Sequence, residues 1–424
     1  MNEKNNISIE IAQKAYAEFN IDIEKVIEDL NNFHLSIHCW QGDDVSGFEK
    51  PESKLTGGGI QVTGQYPGKA RNIDELQKDL EKVLSLLPGS HRIDLHAIYG
   101  DFQGKFIERN EIEIKHFQNW INWAKDKGIK LDFNPSLFSH PKANTGFTLS
   151  DKNKENREFW IEHVKRSRII SNEIGKQLQD PCIHNIWIPD GMKEIPIDRE
   201  RHRILLKESL DEILSEKYSQ NNIKDSLEGK LFGIGSESFV TGSHDFYLSY
   251  AIANNIMLTL DTGHFHPTES VADKLSAILP FNNGVVLHIS RGIRWDSDHV
   301  VIGNDDLNQL CEEIVRSTFK EKIHICTDWF DGSLNRIMGY VIGSRAILKS
   351  LMLALLQPWK MLKEFEESGR SAQKLAFLEE FKTLPFGVIW NYYCTKNNVP
   401  FGRQWIQEVE KYENLVLNKR INSK

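Results

Sequence analysis

Glu228 and Lys230, Asp261 and His264, His288, the pair Asp296 and Asp298, and Asp328 concentrate chemistry-bearing side chains in the second half of this sequence. Each falls near the end of a short β-rich run or in the loop after it: SLEGKLFGI (226–234), IMLTLDTG (256–263), GVVLHIS (284–290) and KIHICTDWF (322–330). Residues i and i+2 of a strand face the same way, so Glu228 and Lys230 are expected to share a face. Burying five carboxylates together is prohibitive without cations, because like charges a few ångströms apart repel strongly in a low dielectric. Divalent metal is the natural counter-charge. The set is rich in oxygen, with some imidazole and no thiolate, which suits Mn²⁺, Mg²⁺ or Co²⁺ better than structural Zn²⁺. Seven candidate ligands exceed what one octahedral ion takes from protein when substrate and water also need positions, so two metals are expected. Taken singly, each residue has a plainer reading: Asp-x-Asp caps a turn, His288 fills a core, Glu228 and Lys230 form an ion pair. The recurrence of these residue types at the same end of successive strands favours a site.

Four earlier runs, HLSIHCW (34–40), RIDLHAIY (92–99), IKLDFNP (129–135) and CIHNIWIP (182–189), supply a second set. His38 and Trp40 share a face of the first, His96 points inward from the second, and Asn134 sits late in the third with Phe138 beyond it. Asn185 and Trp187 share a face of the fourth. Aromatic planes beside a few hydrogen-bonding groups suit a sugar, with its apolar C–H face and polar rim. Trp40, His96, Asn185 and Trp187 are the substrate-binding candidates, against the alternative that tryptophans fill barrel cores.

Positioning these groups requires eight strands with helices between them. Amphipathic stretches at 73–87, 114–127, 203–218, 269–279 and 305–319 alternate with the strand runs, the pattern of parallel βα units closing into a (β/α)8 TIM barrel. In such a barrel catalytic groups converge at the C-terminal ends of the strands. No G-x-G-x-x-G follows the first strand, which counts against a dinucleotide-binding sheet. LTGGGIQVTGQYPG (55–68) is read as a long loop over the barrel mouth rather than a phosphate cradle. The barrel is expected over 1–335, with a helical C-terminal extension over 336–424. The segment SLNRIMGYVIGSRAILKSLMLALL carries more apolar residues than one helix face requires, implying deep burial or a subunit contact. Of 424 residues, 40% are hydrophobic and 26% charged, with a formal net charge of −8. That charge argues against nucleic-acid or membrane-surface partners, which need a basic field. Five scattered cysteines without CxxC, no apolar leader and no run of about 18 apolar residues point to the cytoplasm.

The stretches SIHCWQGDDVSGFE (36–49), NIWIPDGMK (185–193), DTGHFHPTE (261–269) and SRGIRWDSDHVV (290–301) resemble those of the L-rhamnose isomerases, and the similarity runs essentially end to end. The resemblance implies a (β/α)8 barrel with two divalent metals, Mn²⁺ preferred, acting on a small sugar as a cytoplasmic homotetramer. It implies a catalytic metal held by His264, Asp296 and Asp298. It implies a structural metal held by Glu228, Asp261, His288 and Asp328, with Asp298 able to approach both. Lys230 matches a lysine beside the sugar oxygens, and Trp187 and His96 match residues lining the sugar site. Glu237 is a lower-ranked rival to Glu228. The implied reaction is aldose–ketose isomerisation of L-rhamnose and L-rhamnulose in rhamnose catabolism. With no lone buried base apart from the ligands, a 1,2-hydride shift is favoured over an enediol. Lys230 is expected to stabilise oxyanion charge, Asp328 is a candidate proton relay, and His96 a candidate acid–base for ring opening. Two alternatives stand beside this: the same chemistry on another aldose, and a metal-dependent phosphodiester hydrolase on the same architecture. The hydrolase would call for a basic groove that the net charge disfavours.

Overall fold

The computed structural model describes residues 3–49, 62–230 and 238–422. Eight parallel strands form a closed barrel: β1 (Leu35–His38), β2 (Arg92–His96), β3 (Lys130–Asn134), β4 (Cys182–Trp187), β5 (Ile223–Glu228), β6 (Met257–Asp261), β7 (Val285–Ile289) and β8 (Ile323–Thr327). Each pairs with the next, and β8 closes on β1 through Leu35↔Ile325 and Ser36↔Cys326. Two helices, α1 (Glu3–Ala17) and α2 (Ile23–Leu30), precede the barrel. The crossover helices are α3 (Ile73–Leu84), α4 (Gln118–Lys127), α5 (Lys154–Leu178), α6 (Arg199–Ile213), α7 (His244–Asn254), α8 (Val271–Ile278), α9 (Asp305–Arg316) and, after β8, α10 (Arg336–Leu355). Side chains of Asn72, Asn153, Asp198, Ser270, Asn304 and Asn335 accept hydrogen bonds from otherwise unpaired first-turn amides of α3, α5, α6, α8, α9 and α10.

The fifth strand differs from its expected span. It starts at Ile223 and ends at Glu228, matching β4 residue for residue from Cys182↔Ile223 to Trp187↔Glu228. Beyond Trp187 the chain runs Ile188-Pro189, and proline has no N–H to continue a ladder. Lys230 therefore stands two residues past the strand rather than on its face. Glu237 and the glycine-rich stretch through residue 61 lie outside the described residues.

Most of the core fills the space between strands and helices, while Ile183, Met257, Val286 and Cys326 form a small apolar plug inside the barrel. The apolar helix α10 is long enough to cross a membrane, yet 78% of its most apolar window is buried. It packs on α2, α3 and α9, and Tyr340 donates to the Cys39 carbonyl at 2.7 Å. Gly343 permits this approach: a Cβ there would lie 2.3 Å from the Trp329 ring. Beyond α10 follow α11 (Trp359–Glu367), α12 (Ser371–Phe381), α13 (Phe386–Lys396), α14 (Arg403–Tyr412) and α15 (Asn418–Asn422). All five cysteines are buried and free.

Candidate metal centre

The ends of four neighbouring strands aim acidic and imidazole groups at one another. Glu228 closes β5, Asp261 closes β6, His288 is next to last in β7, and Asp328 follows β8, its N–H extending the ladder to the Ile289 carbonyl at 3.0 Å. One ligand atom from each of these four lies within 4.8 Å of the others. A second group of the same tightness joins Asp261, His264 and Asp296, so Asp261 belongs to both. Asp298 stands in neither group. Its backbone is left-handed at φ +43°, a conformation Asp tolerates better than most residues. Burial, then the charges of Asp296 and Asp328, push its carboxyl well above the usual range, so it feels the same cluster. The implied trio of His264, Asp296 and Asp298 thus comes together in part, with Asp261 beside the first two.

The contacts define what this cluster lacks. Glu228 Oε1 lies 3.2 Å from His264 Nδ1, and His264 Nε2 lies 3.3 Å from Asp296 Oδ2. His264 Nδ1 is also 3.0 Å from the Gly229 carbonyl, which accepts its proton and leaves Nε2 with a free electron pair for a metal. His288 Nδ1 is 3.5 Å from Glu228 Oε2 and 3.4 Å from Asp328 Oδ2, yet neither of its ring nitrogens makes a hydrogen bond. Asp261 Oδ2 and Asp296 Oδ1 are likewise buried without a partner. Buried polar atoms are nearly always satisfied, so the unpartnered Asp261 Oδ2, Asp296 Oδ1 and the His288 Nδ1 that faces Glu228 and Asp328 indicate a missing partner. Five carboxylates against the single lysine leave four negative charges when the imidazoles are neutral, which two dications would cancel. Burial disfavours charge on His264 and His288, but the surrounding carboxylates outweigh it and hold both well above the ordinary imidazole range. Burial pushes Asp261 up to about 7, with neighbouring carboxylates adding to the shift. Gly263 leaves the space open: a Cβ there would lie 2.8 Å from Asp296 Oδ1 and from Ser290 Oγ. The donors present fit divalent metal.

Lys230 Nζ sits 2.8 Å from Asp296 Oδ2 and 4.9 Å over the Trp187 ring. Phe138 packs 5.6 Å from Trp187 and 5.3 Å from His96, giving an aromatic wall beside the carboxylates. Burial lowers His96 to about 3, so its imidazole is neutral, and Nδ1 is 3.0 Å from Ser136 Oγ. Trp40 and Asn185, expected as sugar contacts, also hold members of the carboxylate cluster. The Trp40 indole N–H donates to Asp328 Oδ1 at 2.9 Å, bracing a cluster member. Asn185 donates to Glu228 Oε2 at 2.7 Å and to Asn134 Oδ1 at 3.0 Å, and accepts from Thr259 at 2.7 Å. With its amide committed below the carboxylates, Asn185 orients Glu228. His38 pairs with Thr327 Oγ1 at 2.6 Å one layer beneath.

Several positioning groups escaped the sequence reading. Ser290 Oγ donates to Asp261 Oδ1 at 2.9 Å, and the Gly263 amide does so at 2.6 Å. Thr259 and Ser136 act the same way on Asn185 and His96. A lone serine or threonine in a strand or loop carries no spacing signal, so nothing in the sequence singled them out.

A family profile described as L-rhamnose isomerase (RhaA) matches residues 3–420. The L-rhamnose isomerase of Bacteroides thetaiotaomicron is 53% identical over 97% of this chain and 97% of its own. That of Rhodopirellula baltica is 48% identical over 100% and 99%, and that of Klebsiella pneumoniae 49% over 97% and 98%. A solved L-ribulose 3-epimerase aligns over 81% of this chain and 98% of its own, at 12% identity and a TM-score of 0.45. On the profile match and the three isomerase relatives, the chain belongs to the L-rhamnose isomerase family.

Proposed function

We propose that this protein is a divalent-metal-dependent aldose–ketose isomerase interconverting L-rhamnose and L-rhamnulose in rhamnose catabolism. The observation that carries the metal-centred chemistry is the cluster of buried, unpartnered oxygen and nitrogen atoms at Asp261, Asp296 and His288, in a chain about half identical to named L-rhamnose isomerases. Glu228, Asp261, His288 and Asp328 would hold one ion, and His264 and Asp296 a second, with Asp261 or Asp298 completing its set. When bound, dications, Mn²⁺ by preference, supply Lewis acidity to vicinal sugar oxygens.

The chain's own groups do the rest. The wall of Trp187, Phe138 and His96 receives the apolar face of the sugar and excludes water. Neutral His96, held near Ser136, passes a proton between O1 and O5 as the ring opens instead of storing one. In the shift itself, the C2–H bond breaks with its electron pair and the hydrogen moves to C1. O2 loses its proton while O1 gains one. Lys230, beside Asp296 and over Trp187, stabilises negative charge developing on the sugar oxygen. Asp328 is the proton relay, because its side chain is 16% exposed against 3% for Glu228 and 4% for Asp296. The protein works in the cytoplasm as a homotetramer, with the region from 336 onward packing on the barrel and on a neighbouring subunit. Leu375 on α12, 63% exposed, offers one apolar side chain to that contact.

The test is an EDTA-stripped enzyme restored in turn with Mn²⁺, Co²⁺, Mg²⁺ and Zn²⁺ and assayed on 6-deoxy and pentose aldoses. L-Rhamnose should be the best substrate. In D₂O, a hydride shift leaves the product free of solvent deuterium at C1. Substantial deuterium there would support an enediol and overturn the shift.

A further inference from the structure

We propose that Arg109 is a positioning residue for the sugar pocket, gathering the loop after β3 so that Ser136 and Phe138 meet His96 and Trp187. This rests on the isomerase reading above and concerns the same site.

Arg109 lies on a short helical turn, Arg109–Glu111, between β2 and α4, and is only 3% exposed. Its guanidinium reaches three carbonyl groups of one four-residue stretch: Nη1 donates to Ser136 O at 2.6 Å and to Phe138 O, and Nη2 to Ser139 O at 3.3 Å. Nε and Nη2 also grip Glu49 at 2.9 and 3.0 Å. The fork is fully used, and the three donors of a lysine ammonium cannot reproduce its planar geometry. Turning three carbonyls toward one cation forces a tight bend, and Ser139 takes the left-handed backbone, φ +51°, that this requires. A second tie closes the circle. His163 of α5 accepts from the Ser136 amide at 2.9 Å through Nε2, so its Nδ1 carries the proton and donates to the Arg109 carbonyl at 2.9 Å.

The loop so folded delivers two groups to the pocket. Ser136 Oγ is 3.0 Å from His96 Nδ1, and the Phe138 ring bridges His96 and Trp187. None of the ligands named above comes from this loop; they stand on β5, β6 and β7 or the loops after β6, β7 and β8. Arg109 therefore governs how the sugar is held and leaves metal capture alone. Misplacing binding groups by about an ångström costs up to about 100-fold in rate or affinity.

The experiment compares wild type with Arg109→Ala, measuring Mn²⁺ affinity by calorimetry alongside KM and kcat for L-rhamnose. The expected result is Mn²⁺ affinity within about twofold of wild type and KM raised about 10- to 100-fold, with kcat changed less. KM within twofold of wild type overturns the proposal. A KM rise matched by an equal loss of Mn²⁺ affinity overturns it too, since that is what loosening the whole barrel would do. Should Arg109→Ala not accumulate as folded protein, Arg109→Lys, which keeps the charge and loses the fork, is read by the same two criteria. Wild type that turns over no L-rhamnose would end the isomerase reading and this proposal with it. Active wild type with an unmoved variant KM would end this proposal only.

Discussion

Two sets of buried charge in this barrel use the same residue types and have opposite characters. Low in the barrel, Asp132 accepts from Arg92 at 2.7 and 2.9 Å, from Ser36 at 2.6 Å and from the Ile183 amide at 2.8 Å. Between the sheet and α5, Asp225 accepts from Arg168 at 3.0 Å through each oxygen and from His184 at 2.9 Å. Burial raises both carboxyls, but the arginine partner of Asp132 and the His184–Arg168 pair around Asp225 outweigh it, leaving both below the usual range. At the barrel mouth the hydrogen bonding is incomplete. Asp261 and Asp296 each keep an oxygen without a partner, and both nitrogens of His288 are orphaned. Buried charge that is satisfied by protein serves the fold; buried charge that is not is reserved for something that binds.

The comparison breaks most sharply in paired substitutions. Asp296→Asn or His264→Ala should lower turnover of L-rhamnose by more than about 1000-fold, because Lewis acidity is worth several kcal/mol at the transition state. Asp261→Asn should also abolish most turnover yet leave folded stability without added metal unchanged or slightly higher, since burial already disfavours its charge and pushes the carboxyl up to about 7. Asp225→Asn should do the converse. It leaves Arg168 buried without its counter-charge and should cost about 3–5 kcal/mol in urea unfolding, while the protein that remains folded keeps its turnover per site. An active Asp296→Asn enzyme, or an Asp225→Asn protein as stable as wild type, would erase the distinction between the two regions.

Metal titration sharpens it. Binding to the folded chain alone stabilises by RT ln(1 + [L]/Kd), about 2.7 kcal/mol at a hundredfold excess over Kd. Mn²⁺ should therefore raise the unfolding midpoint of wild type and of Asp225→Asn by similar free energies, and that of Asp296→Asn by much less. Equal gains in all three would place the ion away from the barrel mouth.

Half of this contrast could be read from the sequence. Glu228, Asp261, His288 and Asp328 were legible because strand periodicity puts each at the same end of its strand, and the structure brings those four within reach of one another. The partners that settle charge elsewhere were not. Asp132 and Arg92 are 40 positions apart, Asp225 and Arg168 are 57, and nothing local marks them as pairs. The same limit explains Trp40 and Asn185. Asn185 lies on β4 as expected, whereas β1 ends at His38 and Trp40 opens the turn after it, and only the packed barrel shows that Asp328 and Glu228 take up the hydrogen bonds of Trp40 and Asn185. The extent of the fifth strand was set by its neighbour, through Pro189, rather than by its own residues.

The smallest effect concerns acid, and it separates the regions by which proton moves. His91 is buried at the foot of the barrel, accepting from the Leu35 amide through Nδ1 at 3.3 Å and facing the Pro88 carbonyl through Nε2 at 3.1 Å. Those contacts fix a neutral ring. Burial lowers its pKa to about 4, from 6.5 in the unfolded chain, against the opposing Pro88 hydrogen bond. Between those values the unfolded chain binds a proton that the folded chain does not, so the contribution is present above pH 6.5 and is lost as pH falls toward 4. The slope approaches about 1.4 kcal/mol per pH unit within that window. His91→Gln removes the titrating group, so its unfolding free energy, measured by urea at pH 7, 6 and 5, should fall less steeply than that of wild type. His264 and His288 respond to acid by another route. Protons compete there with metal for the same nitrogens, so saturating Mn²⁺ should flatten the acid loss of activity and leave the His91 slope in place. If excess Mn²⁺ abolished both, the two regions would be one electrostatic unit.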